Sequence, residues 1–367
     1  MCKFILIFVI LLNILSPQVK AISAQSAILI DSKSGRVLFE HNPCEKLSMA
    51  STTKIMTGLL ACESEKLNTS VRVSSFAAGT EGSSLWLKAG EVQSLENLTY
   101  GLMLKSGNDA AVAIAEHLAG SVDAFSLLMN EKARKIGAYN THFENPHGLD
   151  AKEHYTTVYD LALIAQNAMK NKEFRKIVST KTYSIPIEGE KWGRALKNHN
   201  KLLWRLEGCN GIKTGFTKKS GRCLVSSAKK GNEEYICVTL NAPDDWNDHT
   251  YLLNFGFDNF ENMNVIKKGA VAKNVAYDEK HKRRVNVIYS QDFDIAVKKE
   301  DKITTEIKIN KIKYPAKKGS VAGYANIYCN GEEMGKIPLL LEKNIKKITF
   351  WEKIKFFFSK LKGRLFS

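Results

Sequence analysis

The sequence predicts an α+β domain followed by a small all-β domain. Strand-patterned segments near both ends of residues 26–240 bracket a block with helical spacing, which is the layout of a sheet packed on helices. From 284 to 341 short β-rich runs alternate with polar turns and no helical spacing intervenes. A third observation is the C-terminus, where aromatic and aliphatic residues recur at steps of three and four between basic ones.

The first strands are residues 26–30 and 36–40, joined by the Gly-containing turn 31–35. Between 51 and 63 apolar residues fall near helical spacing at Ile55, Leu59 and Leu60, and helical patterns follow at 109–118, 122–136 and 158–169. After Gly211 the pattern returns to strands, with 222–228 and 235–240 flanking the turn Lys229-Lys230-Gly231-Asn232. The texture changes near 262–269. In the β-rich part, Cys329-Asn330-Gly331-Glu332 reads as a turn between two strands. Phe350, Ile354, Phe357, Phe358, Leu361 and Leu365, with Lys353, Lys360, Lys362 and Arg364 among them, predict a basic amphipathic helix lying on an anionic membrane surface, the alternative being a terminal helix docked on the protein's own core.

At the N-terminus Met1-Cys2-Lys3 precedes an almost wholly apolar run, then Ser16-Pro17 and the boundary Val19-Lys20-Ala21. That is the pattern of a secretory signal peptide cleaved after Ala21; the alternative, an uncleaved N-terminal anchor, is disfavoured because the run falls short of the ~20 residues that a membrane span needs. The expected organisation is therefore a signal peptide at 1–21, a catalytic domain at 22–263, a β-rich domain at 264–344 and the amphipathic helix at 345–367.

The formal charge is +16, and residues 265–367 hold 24 Lys or Arg against 11 Asp or Glu. Zinc-finger spacing and RNP-like runs are absent, so an anionic cell envelope is the expected partner, not nucleic acid. The cysteines that remain after Cys2 is removed (Cys44, Cys62, Cys209, Cys223, Cys237 and Cys329) match no compact disulfide framework and read mostly as small buried apolar residues. His117, Trp86, Trp192 and Trp204 read as packing residues, and 280–284 as a solvated basic face.

Three short motifs carry chemistry. Ser51-Thr52-Thr53-Lys54 places a hydroxyl and an amine three residues apart on one face of a helix start. A serine needs a neighbouring base to become a nucleophile, and a lysine serves when desolvation or nearby positive charge lowers its pKa. Ser106-Gly107-Asn108 offers a hydroxyl to pass a proton to a leaving amine and an amide to hold lysine and substrate. Lys213-Thr214-Gly215 would meet a substrate carboxylate, the glycine letting a substrate backbone lie close to the strand. Each alone is an ordinary turn or cap; together, in this order, they form the SxxK, SxN and KTG set.

On these motifs, and on 27–31, 50–56, Asn145-Pro146-His147-Gly148-Leu149-Asp150 and 211–217, the chain resembles the low-molecular-mass penicillin-binding proteins, D-alanyl-D-alanine carboxypeptidases of serine peptidase family S11. Segments 314–319 and 335–339 resemble the β-rich C-terminal domain many of them carry. The resemblance implies a penicillin-binding, β-lactamase-like catalytic fold acting on the peptidoglycan pentapeptide and on β-lactams, without cofactor or metal. It implies that Ser51 is acylated by the penultimate D-alanine carbonyl, that Lys54 takes its proton, and that Ser106 and Asn108 assist. Lys213, Thr214 and Gly215 would bind the terminal carboxylate end, and the backbone N–H groups of Ser51 and Phe216 would form the oxyanion hole. Some relatives carry a histidine after the KTG and an arginine further on; here Phe216 stands there and 241–253 contains no arginine, so the carboxylate grip is expected to rest more heavily on Lys213 and Thr214.

Three rivals share parts of the pattern. A class A β-lactamase would carry SDN and a glutamate for the deacylating water, where this chain has Ser-Gly-Asn. A metal-dependent D,D-peptidase would have to use His147, Asp150 and His154, which read as a structural loop. A silent wall-binding protein on the same fold would be expected to have lost Ser51 or Lys54.

Overall fold

The computed structural model describes residues 22–187, 189–278, 283–313, 315–346, 349–351 and 354. The expected signal peptide and most of the expected amphipathic helix lie outside these residues.

The chain opens with the predicted hairpin, Ser26–Asp31 paired antiparallel with Val37–His41. These strands join Cys209–Thr217, Gly221–Lys230 and Glu233–Leu240 in one five-stranded sheet. Ser26–Asp31 pairs with Glu233–Leu240, which pairs with Gly221–Lys230, and Cys209–Thr217 forms an edge. Successive strand residues face opposite sides, and here both sides are dry. Ile28, Ile30, Val225 and Val238 pack into the core of the helical block, whereas Ala27, Leu29, Tyr235 and Cys237 pack with Leu252 and Leu253 of the helix Asp245–Asn259. Burial on both faces explains why Ser26–Asp31 reads SAILID and not as an alternating strand.

The helices expected at 109–118, 122–136 and 158–169 are Asn108–Ala119, Val122–Ile136 and Val158–Lys170. Ser121 and Thr157 cap the last two through side-chain oxygens that accept N–H bonds from Ala124 and Asp160. Among the described residues, three helices of eight or more residues escaped the pattern, Leu95–Leu104, Lys172–Ser179 and Asp245–Asn259, as did the single turns Ser75–Ala78 and Leu202–Arg205. The first is buried along most of its length, so its amphipathic signal is weak, and the second is only two turns long.

Beyond Asn259 the described structure is β-rich. Glu261–Ile266 pairs with Phe293–Val297, and a second five-stranded sheet has its own core around Val285, Val287, Ala325, Ile327, Ile337 and Leu339. Its Val321–Cys329 and Glu332–Leu341 strands meet at the predicted Asn330-Gly331 turn. Polar contacts tie this part to the first sheet: Arg36 bonds Asp301 at 2.5 Å and the Ala296 carbonyl at 2.7 Å, and Asp31 accepts the Ala296 N–H at 3.2 Å.

The cysteines among the described residues are free thiols; Cys62, Cys223, Cys237 and Cys329 are buried, Cys209 is partly covered and Cys44 is exposed. The expectation for the tryptophans is corrected. Trp86, Trp192 and Trp204 are 82%, 75% and 43% exposed. Lysines lie over two of these rings, Lys191 on Trp192 and Lys197 on Trp204, covering in solvent what a core would have covered. His117 bonds the Thr69 hydroxyl at 2.9 Å.

Candidate active site

Ser51 lies in a 3-10 turn, Ala50–Thr53, that leads into the helix Lys54–Glu63. Ala50 enters this turn with φ 46°, a left-handed conformation that costs a non-glycine residue roughly 1–2 kcal/mol and persists only where neighbours hold it. The neighbours are two glycines. A Cβ on Gly148 would stand 1.9 Å from the Ala50 carbonyl oxygen, and one on Gly215 would stand 2.9 Å from the Ser51 nitrogen. Gly215 therefore has a role beyond the one expected of it: its bare backbone lets the edge strand close on the turn that carries Ser51.

Lys54 is fully buried, and its Nζ reaches Ser51 Oγ at 3.1 Å, Asn108 Oδ1 at 2.7 Å and the His147 carbonyl at 2.5 Å. A neutral amine has two N–H donors and one lone pair. The amide and carbonyl oxygens can only accept, so in the neutral state of Lys54 they would take both donors and leave the lone pair for the Ser51 hydroxyl proton. Burial, and then the positive charge of Lys213, lower the Lys54 pKa well below that of a free lysine, with Asp109 opposing. The structure thus sets the Ser51 hydroxyl against a buried amine whose pKa is lowered.

Asn108 starts the helix that follows Ser106-Gly107, and its Nδ2 donates to the Glu81 carbonyl at 2.6 Å, which fixes which amide atom faces Lys54. Asp109 anchors the loop opposite: its carboxylate accepts the Leu85 and Leu87 N–H groups and the Ser84 hydroxyl. Ser106 is held at φ 65°, buried, and its Oγ has no hydrogen-bond partner among the described residues. A buried unpaired hydroxyl costs about 1–3 kcal/mol, and here it lines the same cavity as Ser51.

The Asn145–Asp150 motif serves Lys54 structurally. Asn145 Oδ1 accepts the Gly148 N–H at 2.7 Å, curling the loop so that the carbonyls of Pro146 and His147 reach Thr57 and Lys54. His154 Nδ1 accepts the Glu144 N–H, so its Nε2 carries the proton and donates to Thr53 at 2.7 Å. Burial, with Lys54 and the neighbouring histidines assisting, pushes His147 down to about 3 and His154 down to about 4. Asp150 meets the Thr217 hydroxyl instead of either imidazole.

Lys213, also buried, bonds the Thr214 carbonyl at 3.0 Å, and desolvation brings its pKa down to about 7. Ser51, Ser106, Thr214, Gly215, Phe216 and Arg222 line a cavity of about 300 Å³. A larger, basic cavity of about 560 Å³ opens beside it across His199, lined by lysines, Arg205 and Trp204 and by no hydroxyl or thiol side chain; side-chain chemistry, not volume, marks the site. Arg222, Asp245 and Trp246 are pocket residues that sequence reasoning missed. No arginine lies along 241–253, but Arg222, on the neighbouring strand opposite Phe216, lines this cavity.

Comparisons with known proteins give the family. Residues 13–244 match the D-alanyl-D-alanine carboxypeptidase family, peptidase family S11. The chain belongs to that family. Residues 260–347 match the penicillin-binding protein 5 C-terminal domain, which accounts for the β-rich second part. D-alanyl-D-alanine carboxypeptidase DacF of Bacillus subtilis is 35% identical over 341 residues, covering 89% of this chain and 87% of the relative. DacA of Escherichia coli is 33% identical, covering 92% and 87%. The crystal structure of penicillin binding protein 5 from Haemophilus influenzae superposes with TM-score 0.76 at 29% identity, covering 89% of this chain and 98% of that one. Membership of this carboxypeptidase family favours the principal reading over the β-lactamase and the silent wall-binding protein.

Proposed function

We propose that the protein is an exported serine-type D-alanyl-D-alanine carboxypeptidase that trims peptidoglycan pentapeptides through an ester on Ser51. The observation that carries the reading is the Lys54 bond set, two obligate acceptors and one hydroxyl around a buried amine. In this scheme Ser51 Oγ attacks the penultimate D-alanine carbonyl while Lys54 Nζ takes the hydroxyl proton. The N–H groups of Ser51 and Phe216 stabilise the oxyanion; the approach of Gly215 to the Ser51 nitrogen supports their convergence. Ser106, with Asn108 holding Lys54, passes the proton to the departing amine, and the D-alanine leaves. Water then cleaves the ester, restoring Ser51 and releasing the shortened peptide. Lys213, Thr214 and Gly215 bind the carboxylate end of the substrate.

A β-lactam carbonyl would be attacked in the same way, but its leaving amine stays tethered. A labelled penicillin is therefore expected to form a stable ester, and peptide mass spectrometry to find the label on the peptide containing Ser51. Label elsewhere, or none, refutes the proposal. Attachment to the outer face of the membrane through 350–367 is part of the same reading, supported by the basic amphipathic spacing. Deleting 350–367 is expected to move the protein from the membrane to the soluble fraction; continued sedimentation with membranes would rule that segment out as the anchor.

A further inference from the structure

Trp86 stands almost wholly in solvent, yet the loop that presents it is held on every side. The N–H groups of Leu85 and Leu87, its two neighbours, both donate to the buried carboxylate of Asp109, and its own N–H donates to Ser84 Oγ at 2.8 Å. Its backbone has φ 60°, a left-handed conformation that a bulky residue adopts only where its surroundings impose it. The same loop borders the catalytic cavity: Ser83 lines it, and the Ser83 carbonyl accepts the Asn108 N–H at 2.7 Å. A large apolar ring is thus fixed in solvent at the rim of the site, in a conformation that a free loop would avoid.

A second ring stands on the neighbouring hairpin. Thr182–Ile185 pairs with Arg194–Lys197, and Trp192, also exposed, precedes Arg194 by two residues. Arg194 ties this hairpin to the Trp86 loop. Its Nη2 donates to the Trp86 carbonyl at 3.4 Å and its Nη1 to Glu91 at 3.1 Å, the ion pair being largely shielded from water. Gln93 adds a bond to the Pro186 carbonyl at 2.9 Å. The two tryptophans are therefore carried by segments that are fastened to each other.

Two separate rings among Ser84, Lys88, Glu91 and Lys191 do not make the continuous apolar patch that a lipid or protein contact uses. They suit a ligand with a flat apolar face and a hydroxylated edge. A pyranose is such a ligand: its C–H groups lie on an indole face while its hydroxyls meet polar neighbours and water. The pentapeptide of the scheme above hangs from an amino sugar of a glycan strand. The attacked carbonyl belongs to its penultimate residue, so that sugar lies up to about 14 Å away in an extended stem. Trp86 is three residues from Ser83 and so within about 11 Å of the cavity wall, inside that reach. We propose that Trp86, with Trp192, stacks on sugar rings of the glycan strand, so that the enzyme favours stem peptides attached to glycan over free ones. The proposal rests on the carboxypeptidase reading above.

The test compares D-alanine release from the free pentapeptide and from the same pentapeptide carried on its N-acetylglucosaminyl-N-acetylmuramic acid disaccharide. The wild type is expected to show the lower KM on the disaccharide form. In Trp86→Ala, KM for the disaccharide form is expected to rise about 5- to 10-fold at unchanged kcat, the scale of one aromatic stacking contact, and KM for the free pentapeptide to change by less than about twofold. Trp192→Ala is expected to act in the same direction on the disaccharide form alone, and Trp86→Phe, which keeps a stacking face, to recover part of the loss. Equal losses on both substrates, or none on either, overturn the assignment. A change of oligomeric state in Trp86→Ala with KM unchanged gives the ring to a contact between copies of the chain and overturns it as well. Should Trp86→Ala not fold, the wild type decides: peptide-free glycan strands are expected to compete with the disaccharide form and to spare the free pentapeptide, and equal or absent inhibition overturns the proposal. Failure of the serine reading looks different, since a wild type that carries no penicillin ester on Ser51 refutes the parent scheme whatever the glycan competition shows.

Discussion

Ser51→Ala is expected to lower release of D-alanine from a pentapeptide by about 10⁶-fold, on the scale seen when a serine nucleophile is removed from a hydrolase. The stability change should be small by comparison. Ser51 Oγ gives up one hydrogen bond, to Lys54, and such a bond is worth about 0.5–1.5 kcal/mol. Lys54 keeps Asn108 and the His147 carbonyl as partners, and the turn is held by the backbone contacts of Gly148 and Gly215 rather than by the hydroxyl. Comparing D-alanine release with the thermal melting of the same preparation separates the two effects. Release at the wild-type rate by a folded variant would remove Ser51 from the mechanism and return attention to His147, Asp150 and His154.

The second large effect concerns Lys54. Replacing it with methionine, which fills similar space without an amine, is expected to slow acylation of Ser51 by about 10²–10⁴-fold, the usual contribution of a positioned base. The pH dependence gives a sharper signature. Only the neutral amine can take the proton, so kcat/KM should rise with pH through the Lys54 pKa, which lies well below that of a free lysine. A nearby positive charge makes the protonated amine less stable, so Lys213 contributes to this lowering. Lys213→Ala removes that charge, the Lys54 proton is then held more tightly, and the rising limb should move to higher pH. Stopped-flow acylation by a chromogenic β-lactam across pH measures both variants. A limb that stays in place in Lys213→Ala, or that survives in Lys54→Met, would mean another group is the base.

Much of the site was legible in the chain because it is written in short local units. Ser51 and Lys54 are separated by one turn of helix, and Ser106 and Asn108 flank a single glycine, so their mutual placement follows from backbone geometry. The hairpin, the Val122–Ile136 helix and the Asn330-Gly331 turn were readable for the same reason. The three long helices with an amphipathic or Ala-rich pattern announced themselves, while Leu95–Leu104, buried along most of its length, did not. The exposed tryptophans were misread because an aromatic side chain carries no mark of whether a lysine or a protein core will cover it.

The sequence by itself determined the reaction chemistry available here: a hydroxyl, an amine one turn away and two distant polar motifs in the right order. Only the tertiary structure decided the state and surroundings of those groups. Ser51 alone was a helix start; burial, the charge of Lys213 and a bond set with two obligate acceptors lower the pKa of its neighbour Lys54 and fix its amine beside the hydroxyl. Arg222 shows the same division. It lies well outside the segment where an arginine was sought, and strand pairing brings it opposite Phe216 and into the pocket. Charge, pKa and reach depend on what packs around a group, and packing between strands far apart in the chain leaves no local pattern to read.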